Sequence, residues 1–375
     1  MINENKAINE NKEEIISKEE IISEEALSTE PLTKEDIIRT IEGKGRAKRV
    51  PLLYDIWIRS NAFHNSEEEL QSWLDRYPRD VDEIFLPVPG MTWGEQETPQ
   101  YDWCIPGSSN EGKKGLDAQI IIHDWEDEEE TEAFYRTFPD PDFPEYRKLE
   151  RDGRYLIGRW WGLYFERLWA IRGMENALTD LYLYPDEIHA LFERLTGFFI
   201  RLMERAKEEW DVDGFFVSDD IGTQTGPFFS LEIFREFFLP YYKRLIDRAH
   251  ELGTHFWLHS CGCIEPFLPD LIEAGLDVIH PIQKNTMDQE EIARKYGDKI
   301  CILAGVEVQH VMAFGTPDEV KEEVRFLMDT YDRPEGRFMI TMGNGSTPDW
   351  KMENMTALYE ESAEFEVART SQRTK

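Results

Sequence analysis

A histidine and a cysteine stand two positions apart at the end of an apolar run, as His259-Ser260-Cys261 in HFWLHSC. On an extended strand, residues i and i+2 point to the same side, so the imidazole and the thiol converge. Zn²⁺ accepts a histidine nitrogen and a cysteine thiolate at about 2.0–2.3 Å. The spacing therefore predicts either a zinc site with His259 and Cys261 as ligands or a polar pair without metal. Gly262 indicates that the chain turns before Cys263.

Carboxylates at two other places are candidates for acid-base chemistry. Asp219 and Asp220 follow the apolar run GFFVS, and only one of them need enter a site, because neighbouring strand residues face opposite sides. That carboxylate could act as a general base, hold a cation or bind a polar substrate. Glu307 and Gln309 lie at i and i+2 after KICILAGV, where they either face inward together or form structural hydrogen bonds. We predict Asp219, Asp220 and Glu307 as the catalytic residues.

A stretch rich in aromatic residues and arginine, GRWWGLYFERLWAIRG, offers groups that could hold a substrate. Arg159, Arg167 and Arg172, beside Trp160 and Trp161, could clamp a carboxylate, although aromatic residues at helical spacing are more often core. Other polar residues follow the ends of the apolar runs. The residues that we predict to bind substrate are Asp55, Trp57, Arg159, Trp160, Arg167, Gln224, His280, Gln283, Gln309 and Asn344.

Eight apolar runs alternate with amphipathic stretches and would position these residues. The runs cover 51–57, 83–88, 154–162, 214–220, 255–261, 277–283, 299–305 and 337–343. Strand–helix repetition with near-continuous apolar strands predicts a parallel sheet covered on both faces, and eight units favour a closed (β/α)8 TIM barrel. In such a barrel the working residues lie at the carboxyl ends of the strands, where polar residues concentrate here. The absence of G-x-G-x-x-G after a strand counts against a dinucleotide-binding fold.

The remaining patterns indicate domain organisation. Thr33 with Asp36 predicts a capped helix start, and Ser230 and Thr316 predict two more. The first 32 residues, rich in Glu, Asn and Lys, predict a disordered acidic tail before a single barrel domain at 33–368. Residues 89–153 fit the repeat poorly. We interpret them as a long insertion that carries a hairpin over the barrel mouth.

Composition limits the classes of function. With 76 acidic against 42 basic residues, the chain has a net charge of −34, which disfavours binding to nucleic acid or to anionic membranes. Four cysteines in 375 residues predict free thiols in a reducing compartment rather than a disulfide framework. No stretch reaches the ~18 apolar residues of a membrane span, and no apolar signal region opens the chain. We therefore expect a cytoplasmic protein.

Several blocks resemble the uroporphyrinogen decarboxylase superfamily over about residues 45–365. They are VDGFFVSDDIGTQTGPFFS, HFWLHSCGCIEPFLPDLIEAGLDVIHPIQ, AGVEVQ and GNGSTPDWKMENMTALYE, in this order. The superfamily includes uroporphyrinogen decarboxylases and the cobamide-dependent methyltransferases that pass a methyl group to a thiol. The resemblance implies the same (β/α)8 barrel and a homodimer.

Two differences separate this chain from the decarboxylase branch. Those enzymes have an I-F-S-D-I-L segment whose aspartate holds the pyrrole nitrogens of the substrate. Here the similar segment is IFLPV, and Pro87 stands where that aspartate would fall. Proline has neither a carboxylate nor an N–H donor. The R-Q-A-G-R element of the decarboxylases is also missing, with PLLYDIWIRS in its place, so the resemblance favours the other branch.

The methyltransferase branch uses an H-x-C pair and a later cysteine as zinc ligands. His259 and Cys261 match the pair, but Asn344 occupies the G-C-G position of the later cysteine. The third ligand would then be Asn344, Glu307 or an acidic residue at 219–220. Such a site, with one thiolate, would carry less negative charge and activate a thiol less strongly.

The resemblance leaves three functions open. We favour a methyltransferase-like enzyme that uses zinc, a small-molecule methyl donor or acceptor and a corrinoid carried by a partner protein, in methyl transfer or demethylation. The second is a decarboxylase of a tetrapyrrole or smaller carboxylic acid, which predicts an arginine-lined cleft without metal. The third, supported by the missing cysteine, is a non-catalytic barrel that binds a corrinoid or a small acid.

Overall fold

Seven strands form one parallel sheet in the order of the chain. The computed structural model describes residues 30–53, 57–58, 67–77, 79–89, 103, 120–136, 138, 140–141 and 153–373. The strands are β1 (Val81–Phe85), β2 (Tyr155–Trp160), β3 (Gly214–Ser218), β4 (His255–His259), β5 (Val278–His280), β6 (Cys301–Val306) and β7 (Phe338–Met342). Every residue of β3, β6 and β7 is buried, as expected for a sheet covered on both faces. The predicted parallel α/β architecture is confirmed.

Helices connect the strands and cover the sheet. They are α1 (Lys34–Ile41), α2 (Glu67–Arg76), α3 (Glu128–Tyr135), α4 (Phe165–Arg172), α5 (Met174–Leu183), α6 (Pro185–Trp210), α7 (Leu231–Ile233), α8 (Leu239–Glu251), α9 (Leu268–Ala274), α10 (Gln289–Tyr296), α11 (Val311–Phe314), α12 (Pro317–Tyr331) and α13 (Met352–Arg373). None of these described helices is both long and apolar enough to cross a bilayer.

Side-chain caps start the helices where the sequence predicts. Thr33 forms a capping box with Asp36 at α1, and Thr316 forms one with the third residue of α12. The Ser230 side chain accepts a hydrogen bond from the backbone N–H of Ile233. Each cap satisfies N–H groups that the first helical turn leaves without partners. The helix predicted after Ser230 is interrupted by a π-helical turn at Phe234–Phe238, which the sequence pattern does not reveal.

The first of the eight apolar runs contributes a bridge rather than a described strand. Leu52 pairs in parallel with Ile340 of β7, and the backbone N–H of Leu53 donates to the Ile340 carbonyl. The N–H of Leu52 donates to Asp80, the residue before β1. The segment thus contacts β7, the last strand of the sheet, and the residue before β1, the first strand. Seven of the eight predicted strands form within the described residues.

Asp80 is a buried junction at this end of the sheet. Its carboxylate receives both terminal nitrogens of Arg49 at 2.6 Å and the backbone N–H groups of Leu32 and Leu52 at 2.9 Å. Asp80 is 1% exposed and Arg49 is 7% exposed. Bidentate pairing and the backbone N–H groups that donate to Asp80 offset the desolvation of the two charges. The junction fastens the chain before α1 and the Leu52 segment to the start of β1.

The described residues of the long insertion form no hairpin, and most of 89–153 lies outside the described residues. The QIIIH run forms no strand in 120–123, and the acidic run after it forms α3, capped by Asp127. The N–H groups of Ile121 and Ile122 donate to the carbonyl of Ile171, and Arg172 donates to the Ile122 carbonyl at 2.6 Å. These contacts hold the segment against α4, because helix-end carbonyls supply the acceptors that a partner strand would otherwise provide. Of residues 1–32, where the disordered tail was predicted, 1–29 lie outside the described residues, as does Asp55. Leu32, at the end of that range, is buried and its N–H donates to Asp80.

Candidate functional site

Three side chains that could ligate a metal converge at the carboxyl ends of β3 and β4. His259 ends β4, Cys261 follows it, and Asp220 follows β3; one ligand atom of each lies within 4.8 Å of the others. His259 Nε2 is 3.4 Å from Cys261 Sγ and 3.6 Å from Asp220 Oδ1. The structure therefore brings the predicted His–Cys pair together and adds a carboxylate to it.

These separations suit one zinc ion. Donor atoms about 2.0–2.3 Å from a tetrahedral zinc lie about 3.3–3.8 Å apart, and both distances from His259 Nε2 fall in that interval. Imidazole nitrogen, thiolate and carboxylate are ligands that zinc accepts. Three protein ligands leave a fourth position, which is the arrangement of a catalytic rather than a structural zinc site. The donor set present thus fits zinc.

Neighbouring dipoles position the ligands. The backbone N–H of Cys261 donates to Asp220 Oδ1 at 2.7 Å, and Asn344 Nδ2 lies 3.5 Å from Cys261 Sγ. Asn344 therefore directs an N–H toward the sulfur, while its oxygen accepts from Gly345. Burial, followed by the charge of Asp220, raises the pKa of the Cys261 thiol well above its usual value. Without a cation beside it, Cys261 remains a neutral thiol and a poor nucleophile.

A second histidine lies directly behind the first. His259 and His280 are opposite each other in the β4–β5 register, and their Nδ1 atoms are 2.7 Å apart. Trp57 stacks on His280, with ring centroids 4.9 Å apart, and also on Trp161 at 5.4 Å. Burial lowers the pKa of both imidazoles, that of His280 well below its usual value, so both rings are neutral at pH 7.

Two glycines allow the loops that carry Cys261 and Asp220 to pack together. Gly262 has φ of 81°, and a β-carbon there would lie 2.4 Å from the backbone of Gly222. The turn at Gly262 directs Cys263 away from the cluster, where its N–H donates to the Thr223 carbonyl and its side chain packs against the hydrophobic core. The turn that the sequence predicts therefore leaves one cysteine, not two, in the cluster.

We expect Gly262→Ala to lower the free energy of unfolding by about 2–3 kcal/mol, because alanine is strained at positive φ and would overlap the Gly222 backbone. Urea denaturation at pH 7 measures the change. Gly226→Ala is the matched control, since a β-carbon at Gly226 meets nothing within 4 Å. Equal stability of the two variants would contradict the close packing of these loops.

The structure separates the two adjacent aspartates. Asp219 is fully buried and accepts hydrogen bonds from the backbone N–H groups of Tyr164, Phe165 and Glu166 and from the Tyr242 hydroxyl. It thereby satisfies the amino-terminal N–H groups of α4. Asp220 is the residue that turns toward His259. The catalytic role predicted for Asp219 stays a prediction, and the contacts that it makes are those of a helix anchor.

Asp219 also predicts a pH dependence of stability. Burial raises its pKa to about 6, although its four hydrogen bonds favour the carboxylate; the unfolded value is about 3.9. Because the folded state binds the proton more tightly, this contribution to stability is complete below about pH 4 and is lost as the pH rises through about 6. Relative to Asp219→Asn, the wild type should lose about 2–3 kcal/mol between pH 4 and 7. Urea denaturation across that range measures it; parallel profiles would contradict the assignment.

Glu166 is a partly buried acid at the site that the sequence reasoning did not single out. The Ser218 hydroxyl is 2.5 Å from its Oε2, and Ser218 accepts from the backbone N–H of Gly162. Burial, and then the charges of Asp220 and Asp219, raise the pKa of Glu166 well above its usual value. This raised pKa favours the protonated form of the Glu166 carboxyl group. Its position just past the end of β2 is the signal that could have identified it.

A cavity of about 490 Å³ opens beside Cys261. Val306, Val308 and Trp350 supply apolar lining, and Lys284 is paired with Glu323. Six residues that the sequence reasoning named also line it: Cys261, Gln224, Gln283, Glu307, Gln309 and Asn344. The cavity lining is thus mainly apolar and amide.

Two of the lining residues also support the local backbone. Gln283 Oε1 accepts from the Gly262 N–H at 2.7 Å. Glu307 accepts three backbone N–H groups, from Gln309, His310 and Val311. Burial opposes ionisation of Glu307, but these hydrogen bonds lower its pKa. Glu307 is therefore an anion that caps α11, and the catalytic role predicted for it stays a prediction.

The arginine and tryptophan residues of β2 and α4 fall in different places. Trp160 is buried against Phe199 of α6, so alternation along the strand brings Trp161, not Trp160, to the site. Arg159 forms an ion pair with Glu83, in which Nη2 donates a hydrogen bond to Oε1 at 2.9 Å. Arg167, 1% exposed, donates to three carbonyls, those of Pro89, Trp161 and Gly162. The donors that were predicted to clamp a substrate thus have partners within the protein.

Residues 169–365, more than half of the chain, match the sequence profile described as uroporphyrinogen decarboxylase (URO-D). The matched segment runs from α4 to α13 and contains the His259, Cys261 and Asp220 cluster. No curated protein matches the chain.

Three solved structures illustrate the structural similarities. A methyltransferase from Methanosarcina mazei is 17% identical, with a TM-score of 0.48, over 58% of this chain and 60% of that one. A D-psicose 3-epimerase from Clostridium cellulolyticum H10 is 11% identical, with a TM-score of 0.39, over 86% and 98% of the two chains. An intracellular xylanase from Thermoanaerobacterium saccharolyticum is 11% identical, with a TM-score of 0.36, over 55% and 76%.

Proposed function

Because the chain belongs to the uroporphyrinogen decarboxylase family, we propose that it is a methyltransferase-like enzyme that binds zinc through His259, Cys261 and Asp220. The observation that carries this proposal is the convergence of three different zinc-binding donors within 4.8 Å. We further propose that the chain closes into an eight-unit barrel, with the Leu52 segment between β7 and β1. The cluster then lies at the barrel mouth, where catalysis takes place in this architecture.

When bound, zinc would coordinate and help deprotonate an incoming thiol, or polarise an oxygen of a methyl donor. The chain's own groups have defined roles beside it. Asn344 donates an N–H toward the Cys261 sulfur and so favours the thiolate. Trp57 covers the two histidines and excludes water from them. The raised pKa of Glu166 suits this residue to donate a proton to a leaving group.

The proposed reaction moves a methyl group between a small molecule in the 490 Å³ cavity and a corrinoid carried by a partner protein. In the thiol direction, the sulfur–carbon bond would form as the cobalt–carbon bond of the partner's corrinoid breaks. The methyl group would move as a cation equivalent, both bonding electrons would remain on cobalt, and the thiol proton would pass to solvent. The homodimer stays a prediction.

The described arginines favour this proposal over decarboxylation. Binding of a polycarboxylate needs free guanidinium groups, because each buried carboxylate requires a charge partner. Arg159 is paired with Glu83, Arg172 with Asp180, and Arg167 with backbone carbonyls. Lys284 is the cation among the residues that line the cavity, and Glu323 pairs with it. Within the described residues, the cavity therefore suits a neutral methyl donor or acceptor better than a tetrapyrrole with several carboxylates.

A spectroscopic assay tests the proposed function. The zinc-loaded protein is mixed with methylcobalamin and a small thiol, and loss of the methylcobalamin absorbance is followed. Thiol-dependent loss that disappears in Cys261→Ser supports the proposal. Decarboxylation of a porphyrinogen without methyl transfer would favour the second function, and corrinoid binding without turnover would favour the non-catalytic one.

A further inference from the structure

His259 and His280 form a hydrogen-bonded pair, and the neighbours of His280 decide which ring donates the hydrogen bond. Their Nδ1 atoms are 2.7 Å apart, so one hydrogen lies between them and one ring donates while the other accepts. Distance alone leaves the direction undecided, because a neutral imidazole has one donor and one acceptor nitrogen.

The other nitrogen of His280 decides the direction. His280 Nε2 lies 3.0 Å from the backbone carbonyl oxygen of Met342 at the end of β7. A carbonyl oxygen only accepts, so Nε2 of His280 carries a hydrogen. In a neutral ring, Nδ1 of His280 then has the free lone pair, and the hydrogen between the rings belongs to His259 Nδ1.

A charged His280 would reverse the hydrogen bond, but its surroundings disfavour a cation. His280 is 1% exposed and is packed between Trp57 and Phe216. Its described polar contacts are the His259 ring and the Met342 carbonyl, neither of which is a carboxylate. A cation buried without a counter-charge is costly, so His280 is neutral.

The direction of this hydrogen bond has a consequence for the cluster of His259, Cys261 and Asp220. In the neutral His259 ring, hydrogen on Nδ1 leaves a free lone pair at Nε2, the atom that lies 3.4 Å from Cys261 Sγ and 3.6 Å from Asp220 Oδ1. A lone pair is what a metal ligand or a proton acceptor needs at that position. The opposite tautomer would place an N–H there and block coordination.

We propose that the Met342 carbonyl, acting through His280, fixes the tautomer of His259. The tautomer that it selects has no hydrogen on Nε2, the nitrogen that faces Cys261 and Asp220. His280 is a positioning residue: it does not face the cluster but sets the state of the residue that does. The consequence for metal binding rests on the proposed function, whereas the tautomer itself does not. Partners of this kind, behind a metal-ligating histidine, orient the ring and raise its basicity.

The first test needs no metal. Nitrogen-15 NMR of the metal-free protein, labelled at histidine, reports which ring nitrogen carries hydrogen at neutral pH. Wild type should show hydrogen on Nδ1 of His259 and on Nε2 of His280, with signals assigned from His259→Gln and His280→Gln. Hydrogen on Nε2 of His259 would overturn the proposal.

The second test compares two replacements of His280. His280→Phe keeps an aromatic ring under Trp57 but removes both nitrogens, whereas an amide in His280→Gln can accept from His259 and donate to the Met342 carbonyl. In His280→Phe, we expect His259 to lose its single tautomer and Zn²⁺ affinity to fall by about 10–100-fold. His280→Gln should keep the His259 tautomer and bind Zn²⁺ within a few-fold of wild type.

These outcomes separate the two proposals. If the His259 tautomer is unchanged in folded His280→Phe, the proposed control of His259 by His280 is overturned, even if zinc binds. If the wild type binds no zinc but shows the expected tautomers, and His280→Phe loses them, control by His280 stands and the metal is removed from the proposed function. If His280→Phe does not fold, the wild-type spectrum still decides the tautomer.

Discussion

Wild-type protein should bind one zinc ion per chain, and Cys261→Ser should lower the Zn²⁺ affinity by at least about 100-fold. The reason is that Cys261 supplies the sulfur of a three-residue donor set, and a serine hydroxyl does not ionise to replace the thiolate at neutral pH. Elemental analysis after dialysis, with Kd from competition against a chromophoric chelator, measures the effect. Asp220→Asn and His259→Gln should reduce binding in the same direction.

Cys263→Ser is the matched control for this prediction. Cys263 is two residues away and also a free thiol, but its side chain packs against the hydrophobic core after the turn at Gly262. We expect this variant to keep stoichiometric zinc. Loss of zinc from both cysteine variants would indicate a different ligand set, and an absence of zinc from the wild type would remove the metal from the proposed function. Unfolding of metal-free Cys261→Ser should match metal-free wild type, which separates ligation from folding.

Asp80→Ala should lower the free energy of unfolding by about 3–5 kcal/mol. The substitution removes two short hydrogen bonds from Arg49 and the acceptors of the Leu32 and Leu52 N–H groups, all of them buried. The loss of stability is large because the variant keeps the Arg49 charge buried but removes the carboxylate that pairs with it. Urea denaturation at pH 7, followed by circular dichroism, measures the change.

A surface ion pair provides the comparison for Asp80. Asp247 pairs with Lys243 across one turn of α8, and both side chains are about half exposed. Asp247→Ala should change the free energy of unfolding by less than about 0.5 kcal/mol, because exposed pairs contribute little. An Asp80→Ala cost as small as that of Asp247→Ala would show that the junction is dispensable for stability.

The sequence could predict what depends on local spacing. Apolar runs and amphipathic intervals identified seven of the strands, because burial of a parallel strand on both faces requires a continuous apolar run. The caps at Thr33, Ser230 and Thr316 follow from side chains that reach N–H groups three residues away. The superfamily resemblance is confirmed by the family match over residues 169–365.

The insertion and the arginine residues show where local spacing was insufficient. Residues 89–153 were predicted to carry a hairpin, yet the N–H groups of Ile121 and Ile122 donate to the Ile171 carbonyl at the end of α4. Arg167 looked like a carboxylate clamp because nothing in the sequence shows that three backbone carbonyls surround it. Whether a polar group has partners depends on residues far away in the chain.

The sequence by itself determined the parallel α/β architecture, the family, and the convergence of His259 with Cys261, since two-residue spacing on a strand sets the side to which side chains point. Only the tertiary structure decided that Asp220 completes the cluster, that Asp219 anchors α4, and that His280 meets the Met342 carbonyl. The physical reason is the range of the interaction. Periodicity reports which face of one element a residue occupies, whereas ligation and tautomer depend on ångström-scale distances between elements that only the packed fold establishes.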